Sequence, residues 1–234
     1  MSNFKGEKRG GFYWRNDKPY ISVTKVLSVI DKPSLRWWAC REVYRAMVLD
    51  PALDEQKALA APYQVSDAAK NRGSAVHSIV EAWKTIDQVV GEDGPYKGYA
   101  QAFKNWLHDH QVTVVENERT VFSEVYGYAG TLDLLARING DELPTLVDIK
   151  TGSDLYPEVH LQMSAYRQAL SESRVEVKGT AALLLNDDGT YKYELGKDRL
   201  KAFLACKEIF EGLNEDYLSK IKEKVNKLNG KAGE

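Results

Sequence analysis

Four groups of residues have the types and spacing to do chemistry. In Leu146-Val-Asp148-Ile149-Lys150-Thr-Gly, an apolar run ends in a carboxylate and an ammonium two residues apart. Positions i and i+2 of a strand face the same way, so the pair would be presented side by side at a sheet end. In Gly130-Thr-Leu-Asp133-Leu-Leu, an acidic residue interrupts an apolar strand pattern, where an unpaired carboxylate is costly to desolvate. In Arg72-Gly73-Ser-Ala-Val-His77-Ser-Ile-Val-Glu81, Gly73, His77 and Glu81 are spaced by four. In a helix they form one stripe that drifts by about 40° per step. Gln162 and Tyr166 are also one helical turn apart. Each group has an ordinary alternative: a solvated helix face, an aspartate turned to water between two leucines, an exposed ion pair worth little, surface decoration.

In combination they say more. Asp133 and Asp148 on adjacent strands could converge on a divalent cation, with a main-chain carbonyl and a histidine completing the sphere. Carboxylate and carbonyl oxygens suit Mg²⁺ or Mn²⁺. Lys150 would then stand beside the water such an ion activates. A cation to lower the water's pKa and neutralise phosphate, with an ammonium to orient the nucleophile, is what phosphodiester hydrolysis requires.

The elements that must position these residues can be read from periodicity. Gly11–Trp14 and Pro19–Val23 flank a polar Arg-Asn-Asp-Lys turn and predict a hairpin. Ser34 would cap a helix to about Leu49, with Leu35, Ala39, Val43 and Ala46 inward and Trp37, Arg41 and Arg45 sharing another face. Pro51 and Pro62 bound a short helix capped by Asp54, and Ser66 or Asp67 opens a long one to about Val90. A glycine at position 73, inside that long helix, costs roughly 1 kcal/mol against alanine and predicts a close approach to its backbone. Pro95 begins another helix to about His110. Val112–Phe122, Ala129–Ile138 and Leu143–Ile149 predict strands, Pro157–Leu170 a helix, Lys178–Leu185 and Tyr191–Leu195 two more strands, and Asp198 caps a last helix before a lysine-rich tail. The order predicts an α/β fold: a central mixed sheet flanked by helices, with a helical N-terminal elaboration. The division expected is a single domain, with a hairpin and helical region over 1–65, a core over 66–196, and a C-terminal helix and basic tail over 197–234.

Composition narrows the class. The chain has 234 residues, 43% hydrophobic and 28% charged, which excludes wholesale disorder and a disulfide-stapled mini-protein. Cys40 and Cys206 are too few for a four-cysteine zinc or iron–sulfur site, and a pair of buried thiols in a reducing compartment is the expectation. No apolar run approaches the ~20 residues that cross a bilayer, and the polar N-terminus lacks a signal-peptide pattern, so a cytoplasmic protein without membrane contact is expected. Net charge is −2, yet residues 1–50 hold 10 Lys/Arg against 5 Asp/Glu and the rest hold 22 against 29. A basic N-terminal fifth on an acidic body suggests a polyanion surface beside a carboxylate-rich site.

From about Arg72 to Leu170 the string resembles the PD-(D/E)xK nuclease superfamily, and within it the RecB-like exonuclease branch. Gly73-x3-His77-x3-Glu81 matches the family's histidine helix, Asp133 within Gly-Thr-Leu-Asp its first strand aspartate, Asp148-Ile149-Lys150 its (D/E)xK triplet, and Gln162-x3-Tyr166 its following helix. The resemblance implies a restriction-endonuclease-like core. His77, Asp133, Asp148 and the Ile149 carbonyl become metal ligands for one or two Mg²⁺ or Mn²⁺ ions, and Lys150 the catalytic lysine. Gln162 and Tyr166 support the site or contact DNA near the scissile phosphate. Glu81, Glu118 and Glu124 are candidates for a further acidic group. Arg72, Trp37, Arg41 and Arg45 are candidates for holding DNA by phosphate contacts and stacking; Trp37 in the core and arginines on the surface is the rival. Leucine rather than proline precedes Asp133, the iron–sulfur cysteines of some relatives are missing, and no helicase-type phosphate loop is present. The implied activity is a DNA exonuclease of phage or recombination-repair type in a bacterial or phage-infected cell. It would act on linear or single-stranded DNA ends, alone or beside a single-strand annealing or single-strand-binding protein. An endonuclease or nickase with the same site, and a non-catalytic DNA-binding protein on the same scaffold, remain alternatives.

Overall fold

A computed structural model describes residues 7–83 and 94–221. Eight strands form one mixed sheet, covered by helices on both faces. β1 (Glu7–Arg9), β2 (Phe12–Arg15) and β3 (Lys18–Ser22) form an antiparallel meander. Asn16 and Asp17 both have positive φ, 49° and 58°, as a two-residue type I′ turn requires. The meander joins the main sheet through a short parallel pairing, Ile21 to Tyr128 and Ser22 to Ala129.

The site-bearing strands are β4 (Thr113–Ser123), β5 (Tyr128–Arg137) and β6 (Thr145–Lys150). β5 pairs with β4 along its whole length, from Thr113–Arg137 to Ser123–Tyr128. Its other edge is shared: Tyr128 and Ala129 pair with β3, and Leu134–Ala136 pair with β6. Between those stretches, from Gly130 to Asp133, the edge leaves the ladder, and the sheet opens there. β6 runs parallel to β7 (Gly179–Leu185), which pairs with β8 (Tyr191–Leu195). A parallel pair needs a crossover, and α5 (Glu158–Glu172) supplies it.

Two hydrophobic layers hold the sheet. On one face α1 (Val23–Val26), α5 and α6 (Leu200–Leu213) cover Leu146, Ala182, Tyr128 and Leu132. On the other, α4 (Lys97–Asp109) packs Phe103 and Trp106, both fully buried, against Leu134, Val147, Ile149 and Leu183, with Val76 and Val80 of α3 (Glu55–Ala82) completing the layer. Val147 and Ile149 therefore face α4, while Leu146 on the opposite face belongs with α5; Asp148 shares the register of that second face.

Several expectations are corrected. The two helices expected on either side of Pro62 are one, α3 (Glu55–Ala82), with Pro62 inside it and buried. Its ring lacks the N–H that would return to Ala58, yet burial keeps the helix continuous. α3 ends at Ala82, with Trp83 as its C-cap, and the extension expected to Val90 lies outside the described residues. The boundary placed at 65/66 falls within this helix. α2 (Pro33–Leu49) starts one residue before Ser34 and buries no residue. Leu35, expected inward, is exposed, because α2 packs chiefly against α3 and only Trp38, Ala39, Glu42, Val43 and Ala46 are half-buried. For the same reason the expected pair of buried thiols is not found: Cys40 on α2 is exposed and Cys206 is half-buried. No described helix is long and apolar enough to cross a membrane.

Candidate active site

The ladder between β5 and β6 stops at Leu134–Val147, which leaves Asp133 and Asp148 opposite one another where the strands part. There the Asp133 side chain replaces the main chain as acceptor: Ile149 N–H donates to its Oδ2 at 2.7 Å. The other oxygen faces α3, with His77 Nδ1 3.4 Å from Oδ1. Asp133 is thus turned into the site and not to water, its side chain only 12% exposed.

Asn117 pairs with Leu134 and Arg119 with Leu132, so Glu118 stands opposite Asp133. Glu118 has φ 48°, rare for a non-glycine residue and stored strain of order 1–3 kcal/mol. The turn brings its carboxylate to 3.7 Å from His77 Nδ1. His77, Glu118 and Asp133 each place one ligand atom within 4.8 Å of the others. The register selects among the three acidic candidates. Glu81 is exposed, with its carbonyl held by Asn117 Nδ2 at 3.0 Å. Glu124 lies in the β4–β5 turn, bound to Lys18 at 2.9 Å and Tyr20 at 2.6 Å and ion-paired with Arg15. Five residues of β5, roughly 17 Å, separate that turn from Asp133.

Asp148 is 1% exposed. Its carboxylate forms an ion pair with the Lys150 ammonium, and neither oxygen has a further hydrogen-bond partner among the described residues. A buried carboxylate with open acceptor positions, next to a carboxylate–imidazole–carboxylate trio, fits a hard divalent cation in donor type and in charge.

Charge crowding sets the protonation states. Burial, then repulsion from Asp148, pushes the Asp133 carboxyl up to about 7, against the attraction of His77, Lys150 and the Ile149 N–H. Burial pulls His77 down, but the neighbouring Glu118 and Asp133 carboxylates outweigh it and its pKa is raised. Lys150 is likewise raised, burial being overcome by Asp148 and Asp133, so the ammonium persists.

α5 completes the wall. Gln162 Nε2 donates to the Tyr166 hydroxyl at 3.1 Å. Burial, then the two aspartates, holds the Tyr166 phenol well above its usual range, keeping it neutral. The Tyr166 ring fills the gap where β5 leaves its ladder: a Cβ on Gly130 would lie 2.3 Å from its Cε1. The sequence singled out Gly130 only as part of a string, and its role here is steric. Gly130→Ala is therefore expected to cost about 1–3 kcal/mol by overpacking. A denaturant-melt cycle with Tyr166→Ala should show strong coupling; additive effects would mean the ring is not seated there. At Gly73 the opposite holds: an added Cβ would sit 3.7 Å from Thr151 Oγ1, an ordinary contact, so the close approach expected there is not found among the described residues.

The remaining candidates lie on α2 and α3. Trp37 is 80% exposed, which removes the core alternative. Arg41 is exposed, Arg45 is paired with Glu42 at 2.7 Å, and the exposed Tyr44 follows Trp37 by seven residues on the same face. Arg72 is half-buried, its Nε without a hydrogen-bond partner among the described residues.

No protein-family model matches the chain, and no curated protein matches it. Among solved structures it is similar to an alkaline exonuclease (LHK-Exo) from Laribacter hongkongensis, 13% identical over 94% of this chain and 95% of that one, with a TM-score of 0.45. It is also similar to LHK-Exo in complex with dAMP, 14% identical over 92% and 93%, with a TM-score of 0.44. The site itself is defined by the side-chain geometry above.

Proposed function

We propose that this chain is a divalent-metal-dependent deoxyribonuclease of the PD-(D/E)xK superfamily, in its RecB-like branch, that degrades DNA from ends. The observation that carries the reading is Asp133 and Asp148 facing each other where two antiparallel strands part, with Lys150 paired to one and His77 and Glu118 gathered on the other. His77, Glu118, Asp133, Asp148 and the Ile149 carbonyl would hold Mg²⁺ or Mn²⁺. Such an ion, when bound, lowers the pKa of water and neutralises phosphate charge. The protein's own part is orientation. The Ile149 N–H fixes Asp133. Lys150 brings a permanent cation to the reacting phosphate. Tyr166, neutral and held by Gln162, offers a hydroxyl that positions without charge.

The outward face of α2 supports DNA as substrate. Trp37 and Tyr44 present rings to solvent, and Arg41 lies between them in sequence on the same face. Aromatic stacking combined with guanidinium–phosphate contact binds single strands with little sequence preference. Trp37→Ala with Arg41→Ala should weaken binding at every sequence alike, by about 1–3 kcal/mol for the lost stack, and reduce the salt dependence by about one counterion.

The deciding experiment compares linear DNA with covalently closed circles in Mg²⁺. Loss of the linear substrate with circles intact is expected. Linearisation of circles at the same rate would replace the exonuclease by an endonuclease with the same chemistry. Tight DNA binding with no cleavage in any divalent ion would make the chain a non-catalytic binder.

A further inference from the structure

A cavity lies at the end of the sheet away from the aspartates, and we propose that it binds a nucleoside monophosphate. The cavity encloses about 880 Å³ beside Thr145, Gly179 and Thr180, where β6 and β7 begin. β6 advances three residues from Thr145 to Asp148, so roughly 10 Å of strand separates the cavity from the aspartates. The volume is in the ~300–1,000 Å³ range of small-molecule sites.

One helix serves both. Gln162 and Tyr166 of α5 face the catalytic cluster. On the other side of the same helix Ser164, Arg167, Gln168 and Ser171, at i, i+3, i+4 and i+7, form a polar stripe that lines the cavity. The wall is built in place. Ser164 Oγ donates to the His160 carbonyl at 2.7 Å and accepts from Arg199 N–H at 2.8 Å, tying the segment before α6 to α5. Gly196 N–H donates to the Thr180 carbonyl at 2.7 Å, and a Cβ at Gly196 would lie 1.8 Å from Thr180 Oγ1, so no larger residue can stand at that point of the wall.

Among the described residues that line the cavity, the charges leave one cation for a ligand. Lys178 is spent on Asp141, bridging both carboxylate oxygens at 2.7 Å. Asp198 accepts from Leu200 N–H at 3.0 Å, at the start of α6. Arg167 is exposed and makes no hydrogen bond or ion pair among the described residues. A free guanidinium matches a phosphate by two parallel hydrogen bonds. His110 and Tyr193, with ring centroids 5.0 Å apart, supply aromatic surface in the same cavity, suited to a planar base. Asn139 offers an amide for its edge, and Gln168, whose Nε2 donates to Glu172 at 3.1 Å, adds its carbonyl oxygen as an acceptor. One anion, one planar ring and a rim of amides and hydroxyls describe a nucleoside monophosphate better than a free anion or an apolar molecule.

The proposal does not depend on the nuclease reading and is tested apart from it. The full chain, in chelator and without divalent ions, is titrated with dAMP, with deoxyadenosine and with inorganic phosphate, following amide shifts by NMR. With dAMP, saturable shifts at Gly179, Thr180 and Gly196 are expected, with at least tenfold weaker binding by either fragment. Arg167→Gln should weaken dAMP binding tenfold or more with the melting temperature unchanged, and Asp148→Asn should leave it intact. The proposal is overturned if dAMP produces no saturable shift at those amides, if either fragment binds as well as dAMP, if Arg167→Gln has no effect, or if Asp148→Asn abolishes binding.

Discussion

Asp148→Asn and Asp133→Asn are each expected to lower Mg²⁺-dependent cleavage a thousandfold or more, roughly 4 kcal/mol of barrier, while leaving the fold intact. The amide keeps the shape of the carboxylate, and its oxygen at position 133 can still accept from the Ile149 N–H; only the charge that holds the ion is lost. The same groups predict how stability depends on pH. An unfolded aspartate loses its proton near 4, whereas Asp133 in the fold holds it up to about 7, through burial and then the repulsion of Asp148. Between those values the native chain binds a proton that the unfolded chain has released, so metal-free stability falls as pH rises from about 4 to about 7. His77 acts in the same direction: its raised pKa gives stability that is complete below its unfolded value near 6.5 and is lost as pH climbs through the folded one. Metal-free protein should therefore melt lower at pH 8 than at pH 5. Asp133→Asn should melt higher than wild type at pH 8, by about 2–4 °C per kcal/mol of relieved repulsion. Bound Mg²⁺ should stabilise wild type more at pH 8 than at pH 6, because an ion needs the carboxylate. Full Mg²⁺-dependent activity in both variants, or a metal-free melting temperature indifferent to pH, would remove Asp133 and Asp148 from the proposed centre.

Part of this centre was legible in the sequence. Asp148 and Lys150 are two apart at the end of an apolar run, and strand geometry alone puts them on one side; the ion pair between them follows. The central mixed sheet with helices on both faces was legible for a similar reason, since its strands are apolar and separated by turn residues. Glu118 could not be singled out. Its place opposite Asp133 depends on the length of the Glu124–Gly127 turn, which sets the β4–β5 register, and on a positive φ that no side-chain pattern announces. A hairpin turn two residues shorter would have aligned a different residue with Asp133. The union of the β1–β3 meander with the main sheet was equally hidden, because it hangs on two parallel pairings, Ile21–Tyr128 and Ser22–Ala129. The continuity of α3 through Pro62 defeated a local rule by burial. The steric role of Gly130 could not be known before the Tyr166 ring was placed against it.

Lys150→Met is expected to separate holding an ion from using it. The methionine keeps much of the aliphatic stem and removes the ammonium. Lys150 is cationic throughout the working pH range because Asp148 and Asp133 overcome its burial. Its charge is therefore available at the moment negative charge builds on the phosphate, and a contact stronger in the transition state than in the ground state acts on turnover and not on affinity. Single-turnover cleavage should fall by about 10²–10³, the scale of losing one electrostatic donor, while Mn²⁺ binding measured by calorimetry persists. Without metal the variant should melt lower than wild type, since losing the half-exposed ammonium leaves the buried Asp148 carboxylate without its counter-charge. Mn²⁺ should then raise its melting temperature by more than it raises that of wild type, because the ion takes over the neutralisation that Lys150 supplied. Lys150→Arg should restore part of the stability and little of the turnover, since a planar fork does not occupy the place of a point charge. If Mn²⁺ affinity disappears together with activity in Lys150→Met, the lysine shapes the carboxylate and does not act on the phosphate, and Asp148 becomes the residue through which its effect is read.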